Sequence, residues 1–223
     1  TEARQLRYVI FIDSGDVINY ATFNTIALGS IQERAKQLGY NILISFFYSS
    51  EDWKSQIEEL SQNCEGIICL GTELDEKHIE KFKSMGIKEL NIPLIVIDND
   101  MRHRVNIDTI SSDNYFGIYN SVLTLCRNGY TDIGYISADI RINNFELRKS
   151  GFQSAYREIL GREPDPASYI RLSTDSEQAY VEAVSRLKAG ARPCSAYICE
   201  NDFLAAAAIR ALKTFHYRIP EDV

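Results

Sequence analysis

The chain has 223 residues, of which 45% are hydrophobic and 25% are charged. This composition is typical of a globular protein with enough residues for one large core or two small ones. No stretch approaches the roughly 18 apolar residues of a membrane span. The polar segment Thr1 to Arg7 does not have the pattern of a secretory signal peptide.

The net charge of −7 and the isoelectric point near 5.1 make the chain acidic. Its basic residues are scattered, without the Lys/Arg cluster that forms an electrostatic footprint for nucleic acid. We therefore expect that residues 1–223 do not bind the phosphate backbone of nucleic acids by themselves.

The five cysteines indicate a reducing compartment, and thus the cytoplasm, because four of them lie in or beside apolar runs. Their spacing fits neither a zinc site nor a redox C-x-x-C motif. We expect structural thiols, no metal and no cofactor. The cysteines are Cys64, Cys69, Cys126, Cys194 and Cys199.

In the first half of the chain, apolar runs alternate with amphipathic segments. The run at 8–12 is typical of a strand buried on both faces. Apolar residues then recur at helical spacing as far as Leu38, and Gly39 has the position of a helix-terminating glycine. Further strands are predicted at 41–47, 66–70 and 93–97, and further helices at 51–62 and 75–85. This alternation predicts a parallel sheet with right-handed crossovers.

The polar stretch 98–108 interrupts the alternation, which then restarts. The sequence therefore predicts an α/β fold of two similar lobes, 7–108 and 109–223, with a cleft between them. In the second lobe we expect strands at 109–112, 133–136, 169–172 and 196–199, and helices at 115–127, 146–160, 177–188 and 203–215.

The junction after the last strand combines a ligand-binding position with a helix-capping one. Asn201 and Asp202 follow the apolar run 196–199 directly, and an alanine-rich helix follows them. In parallel α/β sheets, ligands bind outside the carboxyl ends of the strands. Either residue can instead simply cap the new helix.

Several motifs, in order along nearly the whole chain, resemble the effector-binding core of lactose-repressor/galactose-repressor type transcription regulators. These motifs are Gly39-Tyr40, Glu65-Gly66-Ile67-Ile68, Pro93-Leu94-Ile95-Val96-Ile97-Asp98, Ser112-Asp113-Asn114 with Gly117, Gly129-Tyr130 with Ile133-Gly134-Tyr135-Ile136, Arg148 with Gly151-Phe152, Asn201-Asp202-Phe203-Leu204-Ala205, and Ile219-Pro220-Glu221-Asp222-Val223. The resemblance implies a fold like that of type I periplasmic binding proteins.

Two departures from the family pattern concern the ends of the chain. The amino-terminal helix-turn-helix and hinge helix of the family are absent, and the sequence stops at Val223, before the strand that ends in a ligand-contacting aspartate in relatives. We therefore expect that the carboxyl end is truncated, that both lobes are incomplete, and that segments returning to the first lobe are missing.

The resemblance also implies which residues bind the effector. Asp98 at a strand end can accept hydrogen bonds from two hydroxyls, and the planar guanidinium of Arg148 can bind two ligand oxygens. The alternatives are a hinge or capping role for Asp98, and for Arg148 an ion pair with Glu146. The full predicted set is Asp13, Ser14, Tyr20, Phe23, Asp98, Asn144, Arg148 and Asn201.

Where several relatives place a stacking aromatic side chain, this chain has Ser173-Thr174-Asp175. This departure favours a smaller or more polar ligand than a purine or galactoside. The implied function is an effector-sensing, homodimerising domain of a repressor that binds a carbohydrate-like small molecule between its lobes. Operator DNA would be bound only through the absent amino-terminal head, and no membrane contact is expected.

Two other functions have less support in the sequence. A periplasmic sugar-binding protein of a transporter has the same fold, but five unpaired cysteines and the absence of a signal sequence argue against it. An enzyme has little support, because neither G-x-S-x-G nor G-x-G-x-x-G is present. The three histidines, His78, His103 and His216, do not have ligand spacing, so we expect neither catalytic nor metal-binding residues.

Overall fold

The computed structural model describes residues 4–14, 21–84, 92–100 and 107–223, and for 21–24 the backbone only. The chain divides into two compact units, Thr1–Ser112 and Asp113–Val223. Each is an α/β unit with a parallel sheet. None of the helices in the described ranges is both long and apolar enough to cross a membrane.

The first unit contains a parallel sheet in which the strand order is β2-β1-β3-β4-β5. Gly39, whose φ is +81°, follows the first helix, as expected from its position in the sequence. The elements are β1 (Arg4–Ile12), α1 (Ala21–Gln37), β2 (Tyr40–Tyr48), α2 (Trp53–Ser61), β3 (Ile67–Leu70), α3 (Glu76–Ser84), β4 (Leu94–Ile97) and β5 (Asp108–Ile110).

The second unit contains a parallel sheet in the order β7-β6-β8. A short 3₁₀ helix, Pro166–Ser168, precedes β7. The elements are α4 (Asn114–Arg127), β6 (Ile133–Ala138), α5 (Asn143–Leu160), β7 (Tyr169–Leu172), α6 (Ser176–Lys188), β8 (Ala196–Cys199) and α7 (Asp202–Thr214).

The alternation of strands and helices expected from the sequence is confirmed, but the expected division at 108/109 does not match the units. Thr109 pairs with Val96, and Ile110 with Ile97, so β5 is the edge strand of the first sheet. The chain therefore leaves the first unit only after Ser112. A three-residue strand hydrogen-bonded to β4 cannot belong to the sheet of the second unit.

Each unit has its own apolar core. In the first, alternate residues of the strands, such as Val9, Cys69 and Val96, pack with Trp53 and Phe82 of α2 and α3. In the second, Val122 of α4 and Phe152 of α5 cover one face of β6. Burying a large apolar side chain stabilises a fold by about 1.5–3 kcal/mol, so these clusters hold the strand ends in position.

Candidate functional site

The end of β1 is held by a buried glutamate from the loop after β3. The backbone N–H of Asp13 donates to Glu73 Oε2, and the Ser14 hydroxyl donates to Glu73 Oε1 over 2.9 Å. Glu73 is only 8% exposed. Its carboxylate therefore orients the two consecutive residues that the resemblance assigns to the ligand.

The Asp13 side chain carries a negative charge that its neighbours stabilise. Partial burial acts to raise the pKa of Asp13, but the Ser49 hydroxyl, the His78 imidazole and the Lys77 ammonium outweigh it, and the pKa is lowered from its usual value. Lys77 Nζ lies 3.3 Å from Asp13 Oδ2. An ionised carboxylate at this strand end is a hydrogen-bond acceptor.

His78 connects this carboxylate to the apolar core. Its Nε2 lies 3.2 Å from Asp13 Oδ1, and its Nδ1 lies 2.8 Å from Asp75 Oδ1. The imidazole, only 4% exposed, contacts the rings of Phe11 and Trp53. It is therefore fixed by packing and by two carboxylates, and it in turn fixes the position of Asp13.

Asp98 follows β4 in a left-handed backbone conformation, with a φ of 62°. Aspartate tolerates this conformation better than most residues. Its N–H donates to the Ile110 carbonyl of β5 over 2.8 Å, and the Thr72 hydroxyl donates to its Oδ2 over 2.6 Å. Asp98 thus joins the ends of β3, β4 and β5, and its carboxylate is oriented by a residue of the neighbouring loop.

In the second unit, Arg148 is anchored by two of its nitrogens. Nε donates to Asn114 Oδ1 over 2.8 Å, and Nη1 donates to the backbone carbonyl of Glu200. Asn114 Nδ2 also donates to Asn144 Oδ1 over 3.0 Å. The structure thus brings Arg148 and Asn144, two of the predicted residues, together through Asn114.

The alternative interpretation of Arg148, an ion pair with Glu146, is wrong. The Glu146 carboxylate accepts from Arg141 Nε instead, over 2.6 Å. Arg141 Nη1 also lies 2.9 Å from Glu200 Oε1. Arg141 therefore pairs with the carboxylate that the alternative interpretation assigned to Arg148.

Glu200 has no exposed side-chain surface, and the β6–α5 connection surrounds its carboxylate. Tyr135 Oη donates to Oε1 over 3.0 Å, and the Ala138 N–H donates to Oε2 over 2.7 Å. Burial, followed by the Glu200 charge, raises the pKa of Tyr135, so its hydroxyl keeps the proton that it donates. Together with Arg141, these contacts fix the ends of β6 and β8.

Asn201 caps α7, as one of the two interpretations predicted. Its Oδ1 accepts from the Leu204 N–H over 2.9 Å. Within the described ranges this is the one side-chain hydrogen bond of Asn201, and a capping role does not exclude ligand contact through Nδ2.

Tyr20 and the Phe23 side chain lie outside the described residues. Conversely, Glu73, Glu200 and Asn114 were not among the predicted site residues. Glu200 directly precedes Asn201, and Asn114 belongs to the quoted Ser112-Asp113-Asn114 motif. The signal that could have found them is their position after a strand or beside a predicted site residue.

All five cysteines are free thiols. Cys69 is buried and the other four are partly buried. Burial raises the pKa of Cys69 and of Cys199 to about 12. Among the residues described, no group of three or more His, Cys, Asp or Glu side chains is arranged to hold a metal ion.

The order of the strands, and polar side chains at their carboxyl ends, agree with one known family. Residues 19–223 match the family described as periplasmic binding proteins and sugar binding domain of LacI family. The chain belongs to this family. The match covers both units and includes every predicted site residue from Tyr20 onward.

Curated relatives of this family member are named as transcriptional repressors. The chain is 25% identical to the repressor PurR of Haemophilus influenzae over 87% of its own length and 56% of the relative's. It is 25% identical to the repressor CytR of Escherichia coli over 90% of its length and 57% of the relative's. The chain thus spans little more than half the length of these relatives.

Solved structures of this family have the same fold at low sequence identity. The Escherichia coli transcriptional repressor ascG superposes with a TM-score of 0.79 at 17% identity, over 99% of this chain and 76% of the other. A complex of the transcriptional regulator CelR with cellobiose superposes with a TM-score of 0.74 at 15% identity, over 100% of this chain and 67% of the other.

Proposed function

We propose that this chain is the effector-binding domain of a transcription repressor, and that its effector is a small polar molecule such as a sugar or sugar derivative. Membership of the family and the repressor names of the relatives support the first part. The cellobiose bound to CelR supports the second. DNA would be read by a separate segment of the full-length protein.

The observation that carries this proposal is the anchoring of Arg148. Nε and Nη1 are engaged by Asn114 and by the Glu200 carbonyl, whereas Nη2 has no hydrogen-bond partner among the described residues. A guanidinium fixed at two points has already lost most of its rotamer freedom. Its remaining N–H donors can then bind a ligand oxygen without a further ordering cost.

The strand ends of the first unit offer the complementary groups. Asp13 is ionised and Asp98 is oriented by Thr72, so both present carboxylate oxygens as acceptors. A polyhydroxylated molecule needs fixed acceptors for its hydroxyl protons and fixed donors for its oxygens. We propose that Asp13, Ser14 and Asp98 of the first unit, and Asn144, Arg148 and Asn201 of the second, are effector-binding residues.

A thermal-shift screen of the chain against neutral sugars, sugar phosphates and nucleosides tests this function. A true effector at 100 times its Kd should stabilise the fold by about 2.7 kcal/mol. The stabilisation should be lost in Arg148→Gln and kept in Arg127→Gln, a matched change on the exposed face of α4. If every hit stabilises both variants equally, Arg148 does not bind the effector.

We also propose that the domain forms a homodimer through the first unit. Apolar side chains are exposed on the edge strand β2, where Ile44 is 54% and Phe46 is 47% exposed, and on α1, where Ile26 is 66% exposed. Large exposed apolar patches mark interaction sites. The helices that begin near Phe23, Asp75 and Asn201 are further candidates for dimer contacts.

Sedimentation of Ile44→Lys tests the dimer. The variant should be monomeric at concentrations where the unmodified chain is dimeric, because a buried lysine charge without a partner is unfavourable. Val181→Lys, at an exposed position of α6, is the control for an added charge elsewhere. Dimers that persist in Ile44→Lys but not in the control would place the interface in the second unit.

A further inference from the structure

The second unit contains a cavity that the proposed effector site does not use. It lies between the sheet and the helices α6 and α7, opens to solvent, and has an interior volume of about 80 Å³. One buried water needs roughly 10–15 Å³ of such volume. The cavity can therefore take the hydrocarbon part of a small organic molecule.

The space exists because small side chains line it. Ala183 of α6, and Ala208 and Ala211 of α7, face the cavity where longer side chains would fill it. Ile136 and Leu172 of the sheet supply further apolar surface, and both are almost fully buried. Apolar walls of this kind bind the hydrocarbon part of a ligand.

Two arginines line the same cavity. Arg186 lies in the last turn of α6, and Arg192 in the loop that leads to β8. Within the described residues, neither guanidinium forms an ion pair or a side-chain hydrogen bond. The nearby carboxylates of Asp132 and Asp165 do not line the cavity, and each accepts a backbone N–H, from Ser195 and Ala167 respectively.

The two arginines of the cavity lie towards the end of the sheet opposite Arg148 and Asn201. Arg186 belongs to the last turn of α6, and Arg192 precedes β8. In a parallel α/β unit, the carboxyl ends of the helices lie at the edge where the strands begin. The cavity extends along the sheet as far as Leu172, the last residue of β7, but its charged groups lie at the edge away from the proposed effector site.

We propose that this cavity is a second binding site, which takes a small apolar carboxylate. The hydrocarbon part lies against the alanine-lined walls, and the carboxylate is bound by Arg186 and Arg192 at the opening. Arginine suits this role because its planar group donates two parallel hydrogen bonds to a carboxylate. The proposal does not depend on the effector function of the other edge.

Titration of the isotope-labelled chain with 4-phenylbutanoate, followed by amide NMR, tests the site. We expect saturable binding with a Kd in the millimolar range or below, as for ligands of this size. The shifts should centre on Tyr197, Ala208 and Leu187. The neutral analogue 4-phenylbutanamide should bind about tenfold more weakly, because it cannot form charge-assisted hydrogen bonds.

Two pairs of variants complete the test. Ala183→Leu should abolish the shifts by filling the cavity, whereas Ala206→Leu, at an exposed position of α7, should not. Arg192→Gln should weaken binding of the carboxylate but not of the amide, and Arg127→Gln should change neither. Absence of saturable shifts, shifts that survive in Ala183→Leu, or shifts confined to the edge at Arg148 and Asn201 would each overturn the proposal.

Discussion

Arg148 of α5 donates from Nε to Oδ1 of Asn114 on α4, over 2.8 Å. The two residues belong to different helices that cross at this point. The hydrogen bond therefore contributes both to the packing of α4 against α5 and to the orientation of the guanidinium.

Replacing Arg148 by lysine should affect stability as well as binding. Lysine keeps the charge but cannot reproduce the two anchors at Asn114 and the Glu200 carbonyl. We expect a loss of about 1–2 kcal/mol in the free energy of unfolding, and an affinity for a confirmed effector that is about tenfold lower or worse. Denaturant unfolding and titration calorimetry measure the two effects. Unchanged stability would contradict the anchoring, and unchanged affinity would remove Arg148 from the site.

Glu200→Gln should be strongly destabilising. The buried carboxylate accepts hydrogen bonds from Tyr135, the Ala138 N–H and Arg141. In glutamine an NH2 donor would replace one of the two acceptor oxygens and would face these donors. Leaving a buried hydrogen-bond donor without an acceptor costs about 1–3 kcal/mol, and more where a charged partner is involved. Glu146→Gln, at the exposed partner of Arg141, should cost at most about 1 kcal/mol. Equal losses in urea unfolding of the two variants would show that burial of Glu200 is unimportant.

Gly151→Ala should destabilise the second unit, because a Cβ at this position would overlap the carbonyl oxygen of Tyr115 on α4. We expect a loss of more than about 2 kcal/mol, from overpacking against backbone. Gly117→Ala is the matched control on α4: its Cβ would meet no atom within 4 Å, and alanine is the better helix former by about 1 kcal/mol. In thermal unfolding, Tm should therefore be lower for Gly151→Ala and higher for Gly117→Ala than for the unmodified chain.

The carboxyl of Asp222 should titrate far below the usual range. Side-chain and backbone hydrogen bonds from Arg218 lower the pKa of Asp222 from 3.8 to about 2. Because the folded pKa is depressed, the stabilisation is complete above about pH 4 and is lost as the pH falls towards 2. Carbon NMR of the carboxyl group measures this directly. In Arg218→Gln the pKa should return towards 3.8, and a titration identical to that of the unmodified chain would disprove the pairing.

The secondary structure could be predicted because each strand is an apolar run bounded by polar residues, and each helix has an apolar face. The assignment of β5 failed for a physical reason. The residue types of Asp108, Thr109 and Ile110 do not assign them to one sheet, and the hydrogen bonds to β4 decide the assignment. Such pairing leaves no local signal in three residues.

The positions of the proposed site residues at strand ends could also be predicted, but their hydrogen-bond partners could not. Glu73 lies 60 residues from Asp13, and Asn114 lies 34 residues from Arg148. These contacts arise only when parallel strands and crossing helices bring distant segments together. No spacing rule along the chain encodes them, and the alternative pairing of Arg148 with Glu146 rested on sequence proximity alone.

The side chain and the backbone carbonyl of Glu200 have different roles. Its carboxylate is tied to the scaffold, whereas Arg148 is held by its backbone carbonyl, a group that every amino acid possesses. Substitution at 200 can thus lower stability without deleting the acceptor that orients the arginine. The side chain at position 200 can therefore change while the main-chain hydrogen bond to Arg148 is kept.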